Sequence, residues 1–376
     1  MRVVRIETAP GASGATVMEI KLSRENKDSS RRRPVFGAAL ISLIAAAGIP
    51  SLAFADEGGV SFWLPGTFDS FAALPDQPGW AFSATYYHAS ASAGASVAAA
   101  RTISIGALKP GLQVNLAATT HQTQDSLYLE PGYVFATPVL GGQAAVSVST
   151  VLARSGTAVD GSLSATLGPL GAVRSFDISD SVIGFGDINP QATLKWNRGL
   201  DNFMVYGTGG IPVGAYQSTR LSNIGLGYGA MDVGGGYTYY NDDSGYEFSA
   251  IAGVTYNLLN TSTNYQSGVD FHLDWAAARY LTEKIYAGPV GYFYEQLSCD
   301  GGSGDRVGCF ESRVTGLGAE VTYSFPVGKL EGDLTLKGYG EFAAENRPSG
   351  WNLWLTFSVS PAEPAQASAR AALLHK

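Results

Sequence analysis

The chain has 376 residues, a formal net charge of −8, 45% apolar residues and only 15% charged ones, where a soluble domain of average composition carries about 25%. An acidic chain with no Lys/Arg cluster beyond Arg33 excludes nucleic acid as a partner. Two cysteines and four scattered histidines (His88, His121, His272, His375) make no recognisable zinc site, so neither a metal nor a cofactor is expected.

Residues 1–55 read as a leader. Arg31-Arg32-Arg33 precedes an apolar run from Val35 to Gly48, and Ala53-Phe54-Ala55 supplies an A-x-A cleavage site before Asp56. The run is shorter than the roughly 20 residues that a spanning helix needs, so export is favoured over anchoring. Met18 is an alternative start to Met1.

Residues 56–79 are rich in Gly, Pro and aromatics and lack sustained alternation, so they are not a strand. Two roles stay open for them: a plug in the mouth of a barrel, or a lead-in that covers its periplasmic end. Thr67 to Ala73 is expected to start with an N-cap and form one or two helical turns.

From residue 80 onward the hydrophobic period is two. Candidate strands run over 80–90, 124–137, 140–153, 187–198, 201–213, 227–240, 245–258, 267–279, 283–297, 312–325, 330–343 and 349–360. Each is long enough to cross a tilted barrel wall, which takes roughly 9–11 residues. The connections alternate between long (91–123, 155–186, 214–226, 298–311) and tight (139–141, 198–201, 241–244, 326–329), as in an outer-membrane barrel whose short turns and termini face the periplasm. The fold class is therefore all-β: a transmembrane antiparallel up-and-down barrel of 12 strands over residues 80–360, followed by a flexible tail over 361–376. An added hairpin at 95–105 and 111–120 gives 14 strands as the alternative.

The hairpin at 187–213 fixes the register. With Arg198-Gly199-Leu200-Asp201 as the turn, Trp196 falls opposite Phe203, Leu194 opposite Val205 and Ala192 opposite Gly207, all on one face. Lys195, Thr193 and Gln191 share the other. The same dyad puts Leu334, Leu336, Phe342, Leu353, Leu355 and Phe357 outside. It puts Lys195, Glu247, Asp270, Asp274, Asp333, Lys337 and Glu341 inside, with the aromatic rings of Tyr206, Tyr339 and Trp354. Candidate residues of a solute pathway are thus Lys195, Tyr206, Asp333, Lys337, Tyr339, Glu341 and Trp354. His88 and His272 fall in strands and can face the lumen as wall histidines.

Cys299 and Cys309 bracket a flexible polar run within one long loop, so in an oxidising compartment they are expected to pair, with local stabilisation of about 3 kcal/mol. Gly225-Leu226-Gly227-Tyr228-Gly229-Ala230 formally fits a dinucleotide fingerprint but has no βαβ context. No G-x-S-x-G elbow or H-E-x-x-H helix occurs, so no catalytic residue is assigned.

The blocks GGVSFWLPG, GFGDINPQATLKWNRGLDNFMVYGTGGIPVGAY, YEFSAIAGVTYN, PVGYFYEQL and ENRPSGWNLWLTF together resemble the family named for the meta-pathway of phenol degradation, over nearly the whole chain after the leader. The resemblance implies an outer-membrane β-barrel transporter, similar in outline to long-chain fatty-acid and hydrophobic-compound channels. The aromatic-rich final strand resembles a barrel-assembly signal, which implies the outer-membrane assembly machinery as a partner during biogenesis. The expected function is passive uptake of small hydrophobic or aromatic compounds across the outer membrane, with lipid and solute as the other partners. The competing expectations are a lipase- or protease-like barrel and a structural barrel with a sealed lumen.

Overall fold

The computed structural model describes residues 3–10, 16–23, 61–95, 101–104, 111–167, 170–305, 309 and 311–362. The apolar run at 35–48, the Ala53–Ala55 site and the tail beyond 362 lie outside the described residues. Sixteen strands are present: β1 (Val3–Pro10), β2 (Thr16–Ser23), β3 (Gly79–Ala95), β4 (Arg101–Ser104), β5 (Gly111–Val134), β6 (Gln143–Leu167), β7 (Leu170–Phe185) and β8 (Asn189–Arg198). They continue with β9 (Asp201–Gly210), β10 (Ala230–Asn241), β11 (Tyr246–Asn257), β12 (Asp270–Thr282), β13 (Ile285–Gln296), β14 (Arg313–Val327), β15 (Leu330–Glu345) and β16 (Ser349–Pro361).

The chain divides into two compact units. One comprises Met1–Leu52, Ala93–Thr120 and Ala158–Ser179. In it β1 and β2 form an antiparallel pair from Val3↔Ser23 to Pro10↔Thr16, β2 runs parallel to β7 over residues 17–19, and β4 pairs with the start of β5. The segment read as a leader thus contains a short hairpin, consistent with its Val/Ile-rich alternation.

The other unit, Ala53–Ser92, His121–Thr157 and Asp180–Lys376, is the barrel. Twelve antiparallel strands close a ring in the order β3, β5, β6, β8 through β16 and back to β3. All twelve sequence-predicted strands are members of it. The fourteen-strand alternative fails for a simple reason: β4 pairs with β5 only over Arg101↔Val114 to Ser104↔Gly111, and β5 then continues as one strand to Val134, so the ring gains nothing. The predicted long loop at 155–186 is likewise corrected. Its first part extends β6 to Leu167 and the rest is β7, which pairs with β6 outside the ring.

Register follows the hairpin argument, with Trp196↔Phe203, Leu194↔Val205, Ala192↔Gly207 and Arg198↔Asp201 as partners. The apolar face is the outer one. Phe203 and Val205 are 46% and 48% exposed, and Leu334, Leu336, Leu355 and Phe357 are exposed with them. Inward neighbours are buried: Lys337 is 2% exposed, and Asp270 and His272 are fully buried. A water-soluble fold reverses this order, because apolar burial drives its folding; a barrel in lipid does not.

Candidate functional site

Residues 61–78 hold no helix, contrary to the N-cap expectation. The backbone N–H groups that a helix would turn onto its own carbonyls are instead taken by the barrel wall. Gly66 N and Phe68 N donate to the two carboxylate oxygens of Asp274 at 2.9 and 3.1 Å, Phe71 N donates to Glu247 Oε1 at 3.0 Å, and Ala73 N donates to Thr238 Oγ1 at 3.0 Å. Ser70 Oγ donates to Glu320. Leu74 N closes a turn onto Phe71 O at 2.9 Å, with Phe71 at a positive φ of 65°. Each wall acceptor is one of the inward charges or hydroxyls of β10, β11, β12 and β14, so wall and segment satisfy one another's buried polar groups.

Aromatic contacts complete the docking. Trp63 stacks on His272 and packs near Phe68 and Tyr206, while Phe71 meets Tyr240, Tyr280 and Tyr286. Gly66 sits where only glycine fits: its φ is +87°, and a Cβ there would lie 3.0 Å from the Tyr339 ring and 3.2 Å from that of Tyr292. Behind Trp63, Asp232 Oδ1 accepts from the Tyr206 hydroxyl at 2.7 Å, while its Oδ2 accepts from Thr255 at 2.6 Å and lies 3.0 Å from His272 Nε2. Gly253 makes room for this group, since a Cβ there would stand 2.1 Å from the Tyr206 hydroxyl.

Beside the docked segment, and lined in part by its residues Trp63, Leu64, Thr67 and Asp69, lies a cavity of about 520 Å³, within the size range of small-molecule sites. Its wall is built from alternate residues of β3 (Ser83, Thr85, Tyr87), β5 (Gln122, Gln124, Tyr128), β6 (Ser149, Thr157) and β8 (Asn189, Gln191). Lys337 and Glu341 of β15 and Asn352 and Trp354 of β16 continue the wall next to β3, and residues of the 216–226 loop also line it. The loop is fastened by two carboxylates. Asp187 accepts from Gly214 N at 2.8 Å and Leu226 N at 2.9 Å. Asp180 receives Arg220 through Nε at 3.0 Å and Nη2 at 2.7 Å. The Arg220 guanidinium, with the Ser222 amide, holds the Asp180 carboxyl down to about 2.

The seven sequence-predicted pathway residues all have inward partners but form three groups. Lys337, Glu341 and Trp354 line the cavity. Lys337 Nζ lies 3.5 Å from Asp69 Oδ2 and 5.0 Å from the Trp354 ring centroid, and Glu341 accepts from the Tyr292 hydroxyl at 2.8 Å and Gly350 N at 2.9 Å. Tyr206 and Tyr339 lie against the docked segment. Lys195 and Asp333 sit towards the short-turn end, where Lys195 Nζ donates to Leu74 O and to Asp76 Oδ2 and Asp333 accepts from Ser324. Sequence reasoning placed Gln191 of β8 on the inner face but missed the Ser/Thr/Gln wall of β3, β5 and β6, and also Arg220 and Arg347. The wall was recoverable from the same dyad that identified the inward charges. The two arginines were not, because each belongs to a connection without periodicity.

His88 is not a lumen residue. It is on the outer face with Trp351, and its Nδ1 lies 2.8 Å from Asp125 Oδ1. His121 Nδ1 lies 2.8 Å from Ser92 Oγ. Each of the three histidines among the described residues therefore has a hydroxyl or carboxylate partner. Among the described residues, however, none has a serine and a carboxylate on its two ring nitrogens, which an oriented nucleophile–base pair requires. Cys299 and Cys309 are joined by a disulfide, with Cα atoms 4.5 Å apart.

Comparison with solved structures gives matches at low identity. An outer membrane channel from Pseudomonas putida F1 gives a TM-score of 0.52 at 14% identity, covering 79% of this chain and 100% of that one. The transport unit of the autotransporter AIDA-I from Escherichia coli gives 0.39 at 9% identity, with 89% and 100% covered. A FadL homologue from Pseudomonas aeruginosa gives 0.34 at 8% identity, with 75% and 90% covered. No curated protein sequence matches the chain. The family model described as "Putative MetA-pathway of phenol degradation" matches residues 80–357, the whole ring from β3 to β16, and the chain belongs to that family.

Proposed function

We propose that this protein is an outer-membrane channel through which small hydrophobic or aromatic molecules pass without an energy source. The observation that carries the reading is the inversion of the barrel: a continuous apolar outer face around an interior that holds polar, charged and aromatic side chains and a cavity of about 520 Å³. Apolar surface on this scale is stable only against lipid. Solute enters from the loop end, descends past Tyr87, Tyr128 and Trp354, and leaves beside residues 61–78, which act as a plug. The family's association with phenol degradation and the aromatic interior support an aromatic solute. The test is uptake of phenol by liposomes carrying the purified protein. Faster uptake than by empty liposomes is expected, and equal rates would overturn the reading.

A second reading, a structural barrel with a sealed lumen, is favoured by one observation: the docked segment is bonded to acceptors on β6, β10, β11, β12 and β14. Conductance in planar bilayers separates the two, since a sealed barrel gives none.

A further inference from the structure

Among the described residues three cations line the cavity, and two are committed. Arg220 is held by Asp180, while Lys337 faces Thr67 O and Asp69. Arg347 is different. It follows Asn346, which has a positive φ of 56° and donates through Nδ2 to Glu311 O at 2.8 Å, so the turn between β15 and β16 is fixed in place. The Arg347 guanidinium lies 4.7 Å from the centroid of the buried Tyr294 ring. Its Nε and Nη1 are buried without a hydrogen-bond partner among the described residues. A guanidinium has five donors and no acceptor, and its fork matches a carboxylate. A charge-assisted bond to a carboxylate is stronger than one to water, so an anion in the cavity competes well with water for the part of Arg347 that lines it.

The surroundings restrict the anion. Tyr87 and Trp354, whose rings lie 4.6 Å apart, line the same cavity. Glu130 and Glu341 also line it, so a second negative charge on the solute meets repulsion. We propose that Arg347 is an anion-binding residue of the lumen, which receives the carboxylate of a small arene monocarboxylate whose ring lies against Tyr87 and Trp354. This deepens the channel reading and rests on it for the route by which the solute arrives.

The test is calorimetric titration of the detergent-purified full-length protein with benzoate and with benzyl alcohol, a neutral analogue. Wild type is expected to bind benzoate about tenfold more tightly than benzyl alcohol. Arg347→Met keeps the chain length and removes the charge. It is expected to abolish that preference by weakening benzoate binding more than benzyl alcohol binding, and Arg347→Lys, which keeps the charge, to retain part of it. Equal binding of the two solutes by wild type, or benzoate binding insensitive to Arg347→Met in a folded barrel, overturns the proposal. Liposome permeation by benzyl alcohol is read separately: permeation without any preference for benzoate sinks the anion subsite alone, whereas failure of both solutes to permeate sinks the channel reading.

Discussion

Trp63 lies flat on His272, their ring centroids 3.7 Å apart and their planes 9° from parallel. Both side chains are buried, and the contact joins the docked segment to β12 at the Asp232–Tyr206 group. Trp63→Ala removes a buried indole, a change that costs about 3–5 kcal/mol in a packed core. Because the lost contacts belong to the segment and the ring of strand pairs does not depend on them, the cost falls on docking. The expected outcome is higher single-channel conductance in planar bilayers from a barrel that still folds. Conductance equal to that of wild type would count against residues 61–78 as the barrier.

Asp274 makes a second, independent test of docking. Its two carboxylate oxygens accept the amides of Gly66 and Phe68. Asp274→Asn replaces one acceptor by an NH₂ group that faces a backbone N–H, which leaves buried donors unpaired at about 1–3 kcal/mol. Faster hydrogen exchange at Gly66 and Phe68, with unchanged exchange in β14 and β15, is expected. Uniform loosening of the barrel would show instead that Asp274 supports the wall.

Much of this architecture was legible before any coordinates, for one reason. In a lipid-facing barrel the period-two pattern fixes strand, face and register together, so Trp196↔Phe203 and the inward position of Lys337 follow from alternation. His88 was misplaced because polarity alone cannot locate a side chain where the apolar belt ends; its partner Asp125 lies outside as well. The helical turn expected at Thr67–Ala73 gave way to acceptors more than a hundred residues away in the chain. Nothing local encodes such partners. The extension of β6 and the presence of β7 were passed over although the alternation is there, with Leu163, Ala165 and Leu167 set against Ser162, Ser164 and Thr166, because small and polar residues give it low contrast.

The Asp180–Arg220 pair gives the 214–226 loop a defined acid limit. The Asp180 carboxyl is depressed to about 2 in the folded protein, against about 3.9 when unfolded. A depressed carboxyl contributes stability that is fully present above its unfolded value and is lost as pH falls through the folded one. Protection of the Ile224 and Gly225 amides, which donate to Ala215 O, should therefore be constant from pH 7 to about 5 and fall between about 4 and 2, after correction for intrinsic exchange. In Asp180→Asn that fall should disappear, because the titrating group is gone. A fall of equal size in the variant would assign the acid limit to a group other than Asp180.

Val205 separates a barrel in lipid from a sheet in water. It is 48% exposed on β9, pairs with Leu194 and Gly235, and points away from Lys195 and Tyr206. On a water-exposed face, a substitution of so open a residue by arginine changes stability by roughly 0.5 kcal/mol or less. In the middle of a bilayer the same change costs about 2–4 kcal/mol, because the guanidinium must snorkel or thin the lipid. Urea titration of the protein refolded into phosphatidylcholine vesicles is expected to show a loss in the larger range for Val205→Arg, with Val205→Leu close to wild type. The contrast with position 208 sharpens the test: Thr208 lines the cavity, where an added charge meets water and polar neighbours, so Thr208→Arg should cost less than Val205→Arg. Equal and small effects at both positions would mean that the outer face meets water, and the membrane assignment would fall with it.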